Sequence, residues 1–198
     1  MPIVIEDELW LETIERVGHT PQKLVGMVYA RHPQDQPAPK PEEFATFGTV
    51  ARVHHAMRDG GRIQFIAEGV ERFRIAHWVR TERPFVVQAE YPRATQEAGK
   101  EVRAYALAII NKIKELLPLN PLYKENLRAF LERYTPDDPG PLADFAAAMT
   151  SADGEQLQEV LETVPLLRRM EKVLMLIQHE LEVAGLQTRG HLVKVGVA

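Results

Sequence analysis

Cysteine is absent from the 198-residue chain, and serine occurs once, at Ser151. The first absence excludes disulfides, thiolate nucleophiles and cysteine-held zinc, and it suits a reducing compartment, with the cytoplasm as the default. The second leaves a serine nucleophile only one place, the helix boundary Thr150-Ser151-Ala152-Asp153, where a hydroxyl serves as a cap. No apolar run approaches the roughly 20 residues that a membrane helix requires. The opening residues, MPIVIEDELW, are acidic where an export signal is basic. Neither a Gly-x-x-x-x-Gly-Lys-Ser/Thr loop nor a Gly-x-Gly-x-x-Gly turn is present, so no nucleotide or other cofactor is expected.

An excess of positive charge is lacking as well. The formal net charge is −4 and the sequence pI is near 6.0, which argues against an affinity built on neutralising phosphates. Arg72, Arg74, Arg80 and Arg83 fall close together, but Glu68, Glu71 and Glu82 lie among them, so a mixed solvated face is expected rather than a nucleic-acid stripe. His54-His55 is the one pair that invites a metal. Neighbours on a strand point to opposite faces, and no third ligand stands at suitable spacing, so one inward and one solvated histidine is expected, with no metal site. Asp137-Asp138 sits where helix-start chemistry accounts for it.

What the chain does have is a change of period halfway along. Over residues 23–91 apolar residues recur at every second position, the period of half-buried strands. Phe47, Ala51 and Val53 share one face, as do Ile63, Phe65 and Ala67, and Asp59-Gly60-Gly61 between them supplies hairpin-turn chemistry. Phe73 with Ile75, then Phe85, Val87, Ala89 and Tyr91, read as two further strands, and residues 24–29 as another. Ahead of them, residues 8–17 carry Leu11, Ile14 and Val17 at helical spacing, closed by Gly18. Residues 32–43, with Pro33, Pro37, Pro39 and Pro41, read as an exposed loop.

After Pro92 the period is helical. Tyr105, Ile109, Ile113 and Leu116 form one stripe. Asn120-Pro121 opens a helix with Leu127, Phe130, Leu131 and Tyr134 inward, and Asp138-Pro139 a third through Leu142, Phe145 and Met149. Asp153 with Gln156 makes a capping box before Leu157, Val160 and Leu161. From Pro165 the longest helix, with Leu167, Met170, Leu174, Ile177 and Leu181, runs to about residue 184, a length of roughly 30 Å. The fold class is therefore α+β.

Apolar residues on the nominally outer strand faces, Val50, Ile66 and Val86, together with the large aromatic Trp78, are the candidate binding residues. No catalytic residue is expected.

These segments resemble a known family. Phe44-Ala45-Thr46-Phe47-Gly48-Thr49-Val50-Ala51-Arg52-Val53 is similar to the Gly-Thr-x-Ala-Arg strand of the amino-terminal domains of Lon, the ATP-dependent protease. Gly69-Val70-Glu71-Arg72-Phe73-Arg74-Ile75 resembles that family's next signature, and Phe85 to Tyr91 its following strand. Asp138-Pro139-Gly140-Pro141-Leu142-Ala143-Asp144 resembles its helix opening, and Leu161-Glu162-Thr163-Val164-Pro165 through Glu180-Leu181-Glu182 its final helix. The resemblance implies a PUA-like β-barrel subdomain over residues 1–92 and a helical bundle with a long final helix over 97–187. It further implies a non-catalytic domain that captures unfolded or damaged proteins, contributes to homo-oligomer assembly, and works with the Lon ATPase and protease domains. No membrane partner is implied. The alternative is a free-standing PUA-like module that binds RNA or a small ligand. Arg52, Arg72 and Arg74 fall on matched positions, as structural residues or as substrate contacts.

Both ends depart from the family pattern. Members carry a preceding apolar strand ending near Phe-Pro-Gly, so a barrel strand is expected to be missing, with an exposed neighbouring edge. At the other end Gly185, Gly190, His191 and Gly196 are expected to interrupt the final helix, leaving residues 188–198 as an atypical tail.

Overall fold

The structure is a computed structural model that describes residues 2–6, 8–31, 39–93, 99–119, 127–128, 130–132, 134–135 and 138–195, except for the side chains of Leu9 and of residues beyond Leu186. It comprises two compact units, Met1–Pro92 and Arg93–Ala198.

The first unit contains β1 (Pro2–Ile5), α1 (Glu8–Gly18), β2 (Leu24–Ala30), a 3-10 turn (Pro41–Glu43), β3 (Phe44–Asp59), β4 (Arg62–Arg80) and β5 (Val86–Glu90). The strands form one antiparallel sheet in the order β1-β4-β3-β2, with β5 also on β4. Arg74 pairs with Phe47 of β3 and with Glu90 of β5, so β5 continues the edge of β4 that β1 begins. The β3–β4 hairpin turns through Gly60-Gly61, with Gly60 at φ +62°, where a side chain would be strained. The expected turn is thus present.

The expected barrel is different in one respect. Among the described residues the sheet is open, because β2 pairs with β3 alone and with neither β1 nor β5. The expected strands at Phe73 and at Ile63 are also one element, the 19-residue β4. Strands usually run three to ten residues; of the four register shifts in the pairing of this one, three place an extra residue in β4 itself and bend it. The first leaves Val70 as an extra residue, since Ala51 faces Gly69 and Val50 faces Glu71. Beyond it Phe73 pairs with Gly48, while before it Ala67 pairs with Val53. Val53 and Gly48 differ by an odd number of positions, so the apolar row of β4 passes from one face of the sheet to the other.

On the first face, Ala51, Val53, Ile63, Phe65 and Ala67 are buried against Leu11 and Ile14 of α1. Each large apolar side chain taken from water there contributes about 1.5–3 kcal/mol. Pro39 is buried and Pro41–Glu43 is a 3-10 turn, so this end of the expected loop is ordered; residues 32–38 lie outside the described ones. The histidine expectation is corrected. His55 is exposed at φ +50° in the register shift between His54 and Met57, and half-buried His54 meets the Glu68 carboxylate at 2.8 Å, so neither points into the core.

The second unit contains α2 (Lys100–Leu116), helical residues at 127–128 and 130–131, α3 (Gly140–Ala147), α4 (Gly154–Glu162) and α5 (Leu166–Val195). Ile109, Ile113, Leu142, Ala143, Ala146, Met170, Val173 and Ile177 form its core, each fully enclosed. Leu127, Phe130 and Tyr134 pack against that core as expected, but Leu131 is exposed; the helix start at Asn120-Pro121 lies outside the described residues. The capping box is complete. Gln156 N–H donates to Asp153 Oδ1 at 2.9 Å, and Asp153 N–H to Gln156 Oε1 at 3.0 Å. Ser151 does not cap this helix; its N–H and hydroxyl both donate to the Glu180 carboxylate on α5. The final helix does not stop at its glycines but passes through Gly185 and Gly190 to Val195. Glycine inside a helix costs about 1 kcal/mol relative to alanine, a penalty and not a veto.

Candidate functional site

The first unit holds an apolar cleft of about 560 Å³, within the roughly 300–1,000 Å³ typical of ligand sites. Helix α1 contributes Trp10, Thr13 and Ile14 from one face, by their spacing of three and four. Strand β1 adds Ile3 and Ile5, and β4 adds Phe65, Phe73, Ile75 and Trp78. Trp78 reaches the cleft because of a register shift. Ile75 faces Ala89 and Trp78 faces Val87, so the extra residue between them keeps Trp78, not His77, on the side of Ile75.

Four half-buried aromatic rings gather in this wall. Phe85 lies 5.9 Å from Trp10, 5.3 Å from Phe44 and 5.8 Å from Trp78, and Phe44 lies 5.3 Å from Trp78, centroid to centroid. Such tilted and edge-on contacts fix ring orientation while leaving apolar surface open. The floor depends on glycine: a Cβ on Gly26 would meet the Phe73 ring at 3.0 Å.

Among the described residues no lining side chain carries a charge, and the polar lining groups are the Thr13 hydroxyl and the two indole N–H groups. A lining of this composition is suited to holding apolar groups. Among the described residues there is also no cluster of three or more metal-ligating side chains, and no helix long and apolar enough to cross a membrane. In the helical unit, burial and secondarily the Asp138 carboxylate push the Tyr134 phenol pKa up.

Two of the four candidate residues, Trp78 and Val86, line the cleft. The other two do not. Val50 is half-buried in register with Gly26 and Glu71, and Ile66 is 44% exposed opposite Pro2. Arg74 pairs with Glu90 across β4 and β5, and Arg52 lies 3.8 Å from Glu68, so both brace the sheet. Sequence reasoning missed Phe44 and the length of β2 that lines the cleft; Trp78 and Phe85 flank the β4–β5 connection, but Phe44 lies far ahead of them in the chain and only the fold brings it to them.

Residues 1–179 match the model of the ATP-dependent protease La (LON) substrate-binding domain. The chain belongs to the Lon substrate-binding domain family. It is 45% identical over 188 residues to Lon protease 2 of Hydrogenovibrio crunogenus, covering 94% of this chain and 21% of that protein. It is 40% identical to Lon protease 1 of Syntrophotalea carbinolica, covering 95% of this chain and 23% of that one. The chain therefore spans about a fifth of the length of these Lon relatives. Among solved structures, the N-terminal domain of Lon protease from the Mycobacterium avium complex shares the fold, with a TM-score of 0.63 at 20% identity over 90% of each chain. A Lon N-terminal domain protein from Xanthomonas campestris superposes with a TM-score of 0.55 at 15% identity over 88% of each. The family fold is thus the α+β arrangement of antiparallel sheet and helices with a long final helix.

Proposed function

We propose that this Lon-type domain is a non-catalytic capture module, which holds exposed apolar segments of unfolded or damaged proteins in the aromatic cleft for delivery to Lon ATPase and protease domains. The observation that carries the reading is the apolar cleft walled, among the described residues, by Trp10, Phe44, Trp78 and Phe85. Folded proteins bury such segments, so a cleft that takes apolar side chains discriminates unfolded chains from folded ones. Family membership supports the same reading. Assembly into a homo-oligomer would add avidity to individually weak contacts. The cysteine-free composition suits the cytoplasm.

The test is binding of the purified chain to a fluorescent, reduced and unfolded protein, beside the same protein folded, across salt concentrations. Binding to the unfolded form alone, displaced by apolar peptides and nearly indifferent to salt, is the expected result. Absence of binding and of competition would overturn the proposal. An affinity for RNA that falls steeply with salt would instead favour the rival PUA-like RNA-binding module.

A further inference from the structure

Strand β2 lines the cleft with Val25, Gly26, Met27, Val28 and Ala30, five of its seven residues. Successive side chains on a strand point to opposite faces. A cavity over one face would therefore meet only alternate residues, and one that meets both alternations runs along the edge of the strand. That edge is open: among the described residues β2 is hydrogen-bonded to β3 on one side and to no strand on the other. Its outward N–H and C=O groups thus border an apolar trough whose remaining wall comes from β1, α1, β4, β5, Phe44 and Phe85.

An open row of alternating donors and acceptors is complementary to one partner chemistry, another extended backbone. A helix has its backbone groups already paired and cannot answer that row, and a folded surface answers it only through an open strand edge of its own. We infer that β2 is a docking edge, and that an extended apolar segment of an unfolded protein adds to it as a strand, placing alternate side chains against Phe44, Trp78 and Phe85. This rests on the capture reading of the cleft given above, and it names the conformation in which the segment is held. Seven residues of β2 offer roughly 20 Å of edge, enough for a client strand of five to seven residues. Affinity then comes from main-chain hydrogen bonds, which any sequence supplies, and selectivity from the side chains that fall into the trough. A module that must take many unrelated clients is served by that division.

The experiment uses the whole chain and two fluorescein-labelled peptides, an octapeptide of alternating valine and threonine flanked by lysines, and the same peptide N-methylated at every backbone amide. Anisotropy reads binding, and hydrogen exchange reads the amides of residues 24–30. Strand addition predicts that N-methylation weakens binding by about tenfold or more, and that the unmodified peptide slows exchange at alternate amides of β2. Equal binding of both peptides without new protection would overturn strand addition while leaving apolar capture intact. Failure of both to bind would overturn both. Protection of β2 that rises with protein concentration in the absence of peptide would assign the edge to a second copy of the chain and sink the proposal.

Discussion

The ring of Phe73 occupies the space of the missing side chain of Gly48: a Cβ there would sit 2.8 Å from the Phe73 ring and 2.5 Å from the Met27 carbonyl oxygen. The two residues are also register partners across β3 and β4. Backbone on one side and a buried ring on the other leave no direction in which a methyl group is accommodated. Gly48→Ala is expected to lose about 1–3 kcal/mol of stability, or more, as overpacking of a tight site does. Urea unfolding checks this through a lower midpoint at unchanged slope. Gly18→Ala, which meets nothing within 4 Å, is the control and should stay within about 0.5 kcal/mol of the parent.

The cleft and the outer strand faces make opposite predictions for binding. Phe85→Ala removes a ring that touches Trp10, Phe44 and Trp78, and should weaken capture of an unfolded protein by about tenfold, with a smaller loss from Trp78→Ala in the same wall. Val50→Thr and Ile66→Thr lie outside the lining and should leave affinity within about twofold. Anisotropy titrations of folded variants decide it, and equal losses at all four positions would count against the cleft as the binding surface.

The Asp153–Gln156 reciprocal cap is a local stability element with a defined magnitude. Asp153→Ala should cost about 1 kcal/mol, and Asp153→Asn much less, because the amide oxygen still accepts the Gln156 N–H. A thermal unfolding series checks the order of the three proteins.

Glu180 receives both the amide and the hydroxyl of Ser151, tying the loop before α4 to α5. The carboxylate is exposed, so solvent screens the pair and a loss of only about 0.5–1 kcal/mol is expected for Glu180→Gln. A double-mutant cycle with Ser151→Ala should show coupling between the two; purely additive losses would mean the contact is absent in solution.

Much of this arrangement was legible in the chain because local chemistry set it. The alternation at Ile63, Phe65 and Ala67, the Gly60-Gly61 turn, the Asp153–Gln156 cap and the Ile109–Ile113–Leu116 stripe each follow from neighbouring residues alone. The register shifts were not legible. Val70 and the residue between Ile75 and His77 look like ordinary strand positions, and only pairing with β3 and β5 shows that each is an extra residue that resets the alternation. For the same reason the cleft was half visible. Trp78 and Val86 were singled out, whereas Phe44 and the edge of β2 join them only through long-range topology. The run past Gly185 and Gly190 shows local propensity overridden in the other direction.

On the capture reading proposed above, the apolar wall formed by the described residues also bears on the kinetics of the site. A wall whose described side chains carry no charge adds no steering of its own, so association at the unsteered rate of about 10⁵–10⁶ M⁻¹s⁻¹ is expected. Folded and unfolded proteins are then expected to meet it equally often, so that discrimination would fall to residence time: the clients retained would be those whose dissociation is slower than the next handling step.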